Sequence, residues 1–458
     1  MCPWLEQTTN YKWRALPKPE FIRMVLKSLQ SRRRRHANLT WRAIAVIESR
    51  QLFERLDRVD ELRDFRGQFD LPEGVIYLDG NSLGALPHRT RERLRQTVEQ
   101  EWGHDLIRSW EGADWISLPR RTGDKIARFI GAQEGEVIAA DSTSVNLYKV
   151  LSAALRVNPE RRLIVSEKSN FPTDLYVAEG LASQLGGGYE LMLVEPTGQA
   201  LEKVLAERGR EVAVLLLTHV HYCTARMYDM RCLNSAAHRT GAVTVWDLSH
   251  SAGIVPLDLS ECGADFAVGC GYKHLNGGPG APAFLYVARR FHDRTQPISG
   301  WMGHARPFEF RQDYAPASGI SRYLSGTPAV LGMSALEASV ELLLEAPMEA
   351  IRRKSIALGD AFIALVEAHC AGLGLELISP RDGAMRGSHL SYRHAASYPV
   401  MQALIARGVI GDCRPPDLLR FGFAPLYLRY VDIWDAVMQL AEVLRAQSRD
   451  RPEFRSRR

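Results

Sequence analysis

Past residue 50 the pattern of apolar and polar positions has two textures. Residues 211–218, Glu-Val-Ala-Val-Leu-Leu-Leu-Thr, form a short continuous apolar run after the helix-like 199–209, as expected for a strand buried on both faces. The pairing recurs where 242–246 follows the helix-like 233–240, and the apolar runs 266–270 and 283–287 continue the series. Such alternation predicts an α/β fold, a mainly parallel sheet with helices on both faces. From about residue 330 the texture changes. Long helical patterns at 330–344 and 348–369 give way to short alternating strands at 375–378, 388–392 and 418–423 and a last helix at 433–446, a second, α+β unit. No period of repeat length recurs along the chain.

Composition adds limits rather than detail. The chain has 458 residues, 46% hydrophobic and 24% charged, which excludes a disulfide miniprotein and a wholly disordered chain and allows two to four folded units. The formal net charge of +5 raises the question of an acidic partner. Its distribution answers differently. Residues 1–50 hold eleven Lys/Arg against three acidic residues and the last ten hold five against two, so the body between them is net −6. The run Arg32-Arg33-Arg34-Arg35-His36 has no interleaved aromatics for base stacking. It reads as a solvated, dispensable arm, and no nucleic-acid partner is expected. Cys2, Cys223, Cys232, Cys262, Cys270, Cys370 and Cys413 form no Cys-x-x-Cys pair, which suits a reducing, cytoplasmic compartment without disulfides or structural zinc. No apolar run approaches the ~20 residues of a membrane span, and no membrane partner is expected.

In open α/β sheets ligands bind outside the carboxyl ends of the strands. The strand at 243–246 runs into Asp247, followed by Leu-Ser-His250-Ser-Ala-Gly; the strand at 266–270 runs into Gly271-Tyr272-Lys273-His274, followed by Asn276-Gly-Gly-Pro-Gly280. Singly, an Asp at a strand end is a cap and a Lys is solvated. Together, a carboxylate and an amine converging at one crevice are what pyridoxal phosphate needs: the amine forms a Schiff base with the aldehyde, and the carboxylate keeps the ring nitrogen protonated. Asp141-Ser142-Thr143-Ser144-Val145-Asn146 precedes the helix-like 147–155 and offers hydroxyls and amides to a phosphate. His219 and His221, at i and i+2 of one strand face, lack a third ligand for a metal and read as packing histidines.

With these residues in view, the chain resembles the kynureninase family over about Leu62 to Val443. The segments that carry the resemblance are Ile76-Tyr-Leu-Asp-Gly-Asn-Ser-Leu-Gly84, Phe171-Pro-Thr-Asp174, Trp246-Asp-Leu-Ser-His-Ser-Ala-Gly253, Gly271 through Gly280, Gly300-Trp-Met-Gly-His304 and Leu419-Arg-Phe-Gly422. The resemblance implies the aspartate aminotransferase architecture, fold type I, with a seven-stranded sheet, and hydrolysis of L-kynurenine or its 3-hydroxy form to the anthranilate and L-alanine, in tryptophan breakdown or NAD synthesis. It implies that Lys273 carries the cofactor, Asp247 pairs with its ring nitrogen, Phe171 stacks on the ring, and Asp174, Thr218 and His250 meet its edge or substituents. Thr143, Ser144, Tyr272 and Trp301 would bind the phosphate with Thr327 nearby, the last two from the second subunit of a homodimer. Arg420 would grip the substrate α-carboxylate, Ser82 would line its pocket, and Tyr272 would serve as acid/base partner. The division implied is a basic extension at 1–50, a segment at 51–115 packing on the small domain, a large cofactor-binding domain at 116–330, a small domain at 331–448 and a basic tail at 449–458. Two other readings compete: a cysteine desulfurase or selenocysteine lyase of the same fold, which would need a mobile cysteine and usually a His just before the lysine, where this chain has Tyr272 and a Cys413 expected in a loop without the right surroundings, and a non-catalytic nucleic-acid binder using the basic arm.

Overall fold

A computed structural model describes residues 49–446 and Phe454. The basic run at 32–36 and nearly all of the expected extension and tail lie outside the described residues.

Seven strands form the central sheet: β1 (Val137–Ala140), β2 (Leu163–Glu167), β3 (Glu190–Val194), β4 (Val212–Thr218), β5 (Val243–Asp247), β6 (Phe266–Gly269) and β7 (Ala283–Val287). Their order is β1-β7-β6-β5-β4-β2-β3. Strands β6, β5, β4, β2 and β3 run parallel to one another. Apart from the edge strand β3, the sheet is buried on both sides, with Val137 and Ala139 in the core of one face and Ile138 and Ala140 in that of the other. This is why its strands read as continuous apolar runs. Strand β7 departs from the parallel series. It pairs antiparallel with both β1 and β6, which restores a common direction to those two. The carboxyl ends of β1, β2, β4, β5 and β6 therefore meet at one edge.

Helices Val330–Leu344 and Met348–His369 lead into the second unit. There β8 (Glu376–Leu377), β9 (His389–Arg393), β10 (Asp412–Arg414) and β11 (Leu418–Gly422) form an antiparallel sheet ordered β8-β9-β11-β10. A further helix, Ser397–Ile405, enters between β9 and β10, and the last one starts at Tyr430, a turn earlier than its apolar periodicity suggests. The earlier start has a local cause: Asp432 accepts from the Arg429 backbone N–H at 2.8 Å, and Asp57 accepts from Tyr430 and Val431 at 2.6 and 3.1 Å. The N-terminal part of the described chain is thereby tied to the C-terminal helix. It is tied again where Ile76 and Tyr77 pair in parallel with Val409 and Ile410.

Candidate functional site

Five strand ends supply the site. After β1, the helix begins at Thr143, four residues before its first apolar turn, because Ser142 caps it by accepting from Val145 N–H at 3.4 Å. Thr143 and Ser144 thus occupy the first turn, where backbone N–H groups have no intrahelical acceptor and the helix dipole favours an anion. Lys149, fully buried, holds the entry loop by donating to Asp141 Oδ2 at 2.6 Å and to Tyr323 O at 2.7 Å.

After β2, Asn170 accepts from the Phe171 N–H at 2.7 Å and from the Thr218 hydroxyl at the end of β4 at 2.5 Å. Thr218 also lies 3.5 Å from Asp174 Oδ2. Asp247 ends β5 and accepts from Ser249 N–H at 2.7 Å. Both Asp174 and Asp247 are buried. Burial pushes both carboxyls above their usual range; the charge of Asp247 adds to the effect on Asp174, while Lys273 opposes it on both. Two buried carboxylates share one lysine, so a further cation between them would relieve the cost.

Lys273 follows β6. Its Nζ lies 3.0 Å from His250 Nε2 and 6.0 Å from the centre of the Phe171 ring. Burial, with Lys273 next, holds His250 well below its ordinary value, so the imidazole is neutral, and its Nδ1 is buried without a partner. The loop bearing Lys273 is braced from outside: Gly84 N–H donates to Tyr272 O at 2.8 Å, and a Cβ on Gly84 would sit 2.4 Å from Lys273 O. The adjoining residue Asn81 packs so closely on Gly422 that a Cβ there would overlap its amide. The Asp79–Gly84 turn is therefore wedged between the lysine loop and β11, which explains its small residues.

The second unit contributes Arg420 on β11, its side chain fully buried. Its Nε and Nη2 grip both oxygens of Asp412, at 2.8 and 2.5 Å, Nη2 also reaches Ser82 Oγ at 2.7 Å, and Nη1 donates to Tyr222 O at 2.7 Å. Asp412 stands directly opposite Arg420 in the β10–β11 ladder. Burial raises its carboxyl, but the bonds and charges of Arg420 and Arg414 outweigh this and hold it low. Asp79, beside this group, is pushed up to about 7 by burial and then by the charge of Asp412. The fork expected to be open for a substrate carboxylate is thus already engaged by Asp412.

Asp412, Asn170, Asp79 and the buried His389, whose ring lies 5.4 Å from that of His250, did not emerge from sequence reading. Asp412 and Arg420 had a signal: opposite charges across a short hairpin. Trp301 packs among Trp110, Phe308 and Phe310, and Thr327 is exposed. His219 and His221 lie beyond the end of β4 rather than on one strand face. His221 accepts from Thr224 N–H at 3.1 Å through Nδ1 and meets Ser169 O at 2.8 Å through Nε2. Burial lowers His219 to about 4. Among the described residues no group of three or more His, Cys, Asp or Glu could hold a metal ion. Cys413 sits on β10, not in a loop, with its Sγ 3.3 Å from Ser397 O.

The donor set fits pyridoxal phosphate. It combines a lysine amine, buried carboxylates short of a cation, a neutral histidine with an orphan nitrogen and a hydroxyl-bearing helix start, all at one sheet edge.

Comparison with known proteins agrees. The chain is 50% identical over 407 residues to the kynureninase of Pseudomonas fluorescens, covering 88% of this chain and 97% of that one. With the kynureninase of Burkholderia pseudomallei (strain 1106a) it shares 52% over 408 residues, with the same coverage. This chain belongs to the kynureninase family. Family models agree in both parts, aminotransferase class-V over residues 76–382 and the kynureninase C-terminal domain over 351–440. Among solved structures, a cysteine desulfurase from Thermococcus onnurineus superposes with a TM-score of 0.71, covering 83% of this chain and 98% of its own at 20% identity, which shows a shared fold.

Proposed function

We propose that this chain hydrolyses L-kynurenine, and its 3-hydroxy form, between Cβ and Cγ, releasing the anthranilate and L-alanine with pyridoxal 5'-phosphate bound at Lys273. The observation that carries this reading is the convergence of Lys273, Asp247 and Arg420 in a chain half identical to kynureninases along most of its length.

The cofactor supplies an electrophilic aldehyde and a ring that draws electrons from the substrate. Everything else falls to the protein. Lys273 would hold the cofactor through its amine and, once free, would be placed to take the Cα proton. Asp247, short of a cation in its buried setting, retains the proton on the ring nitrogen. Phe171 would cover a ring face, and the Thr143 and Ser144 turn would receive the phosphate with Tyr272. Burial holds the Tyr272 phenol above its ordinary value, so it keeps its proton and can donate it to the leaving fragment after water has added to the ketone. Trp301, packed among exposed aromatics, and the exposed Thr327 serve the site of the neighbouring subunit in a homodimer. The reaction is cytoplasmic, and no helix among the described residues is long and apolar enough to cross a membrane.

The purified protein should be yellow, release fluorescent anthranilate from kynurenine and liberate no sulfide from cysteine. Lys273→Ala should lose the visible band and the activity together. Sulfide release without anthranilate would favour the desulfurase reading, which Cys413, held on a strand, does not support.

A further inference from the structure

Arg414 shares a face of β10 with Asp412, two residues away, and that face also carries Arg420 across the ladder. Arg414 Nη2 donates to Asp412 Oδ2 at 2.7 Å and reaches Ser82 Oγ at 3.3 Å, the same two atoms that Arg420 Nη2 contacts at 2.5 and 2.7 Å. The two guanidinium nitrogens therefore lie within about 5 Å of each other, a gap that one carboxylate can bridge. The side chain of Arg414 is one-third exposed, whereas that of Arg420 is sealed. Its Nε is buried without a hydrogen-bond partner, an unpaired donor at a place where burial makes unpaired donors costly. The positive charge of Arg414 is felt at Tyr222 and at Tyr272, the neighbour of Lys273 in the chain.

The donor count at Arg420 sharpens the point. A guanidinium has five N–H groups, and four of those of Arg420 are taken by Asp412, Ser82 and Tyr222 O. With Asp412 between them, the two arginines leave one surplus positive charge, matched to one carboxylate, and Arg420 alone has no free fork to present it. We infer that Arg414 is a second substrate-binding residue that, together with the remaining N–H of Arg420, holds the α-carboxylate of the amino-acid substrate, with Asp412 as the anion that keeps the two guanidinium groups side by side. This rests on the proposed kynurenine reaction for the identity of the substrate, but not for the carboxylate site itself.

The test uses the holoprotein and its Arg414→Gln and Arg414→Lys variants. The visible band should persist in both. In Arg414→Gln, KM for L-kynurenine should rise about 10- to 100-fold, the span of a lost charged hydrogen bond, with kcat within about threefold, and Arg414→Lys should recover part of the loss. Binding of L-alanine and of L-alaninamide, followed by the change in the visible spectrum, separates the carboxylate contact from general damage: Arg414→Gln should weaken L-alanine about tenfold or more and leave the amide unchanged. An unchanged KM, or equal weakening of acid and amide, would overturn the inference. A wild-type holoprotein that binds alanine but does not cleave kynurenine would defeat the proposed reaction and leave the alanine comparison to judge Arg414.

Discussion

Asp79 carries the clearest pH signature of any single residue. Its carboxyl is raised to about 7 by burial and by Asp412, and its Oδ1 is buried without a partner. The folded chain therefore retains a proton that the unfolded chain, at the ordinary carboxyl value, has released. The associated stability is complete below about 4 and is lost as pH rises through about 7. Asp79→Asn, permanently neutral, should gain about 2 °C in Tm over the wild type on going from pH 5 to pH 8; a constant difference across that range would remove Asp79 from this role. Lys273, Asp247 and Thr143 were legible as residues because strand ends and a helix start mark them. Asp412 was marked only by its charge across a short hairpin from Arg420, and its meaning comes from the β10–β11 register that sets the two directly opposite.

At the scale of elements, the site depends on loops that touch across the fold. The Asp79–Gly84 turn braces the Lys273 loop, and a methyl group on Gly84 would collide with the Lys273 carbonyl and with Asn276. Gly84→Ala should therefore destabilise the protein by about 2 kcal/mol or more and weaken cofactor retention, read as a lower Tm and faster loss of the visible band on dialysis. A variant as stable and as yellow as the wild type would show the contact to be soft. Helix and strand alternation was readable from periodicity over most of the chain. The direction of β7 was not, because a strand buried on both faces has the same apolar run whichever way it points.

For the whole molecule, two features bear on assembly. Trp301 gathers with Trp110, Phe308 and Phe310, and of these Phe310 is 74% exposed. Exposed aromatic surface of this kind is typical of an interface. The protein should elute at about twice 51.4 kDa, and Phe310→Asp should shift it toward the monomer and lower activity without touching Lys273; a monomeric, fully active wild type would contradict the shared site. Removal of residues 1–48 should leave the visible band and kcat/KM unchanged within about twofold, because the motifs all lie between Ile76 and Gly422. If those residues instead bind nucleic acid, the deletion should abolish a salt-dependent affinity.

The local chemistry of this chain was written in its residue order: which strands are buried, and where an amine and a carboxylate leave neighbouring strand ends. These depend on near neighbours in the chain, and side-chain period and backbone sterics act over such short spans. Only the folded chain decided that Asp412 would occupy the fork of Arg420, that Arg414 would stand beside it, and that a turn near residue 80 would clamp the lysine loop from the far side of the fold. The clamp joins residues 188 positions apart, and the arginine grouping, though close in sequence, depends on the β10–β11 register; register and close packing set both.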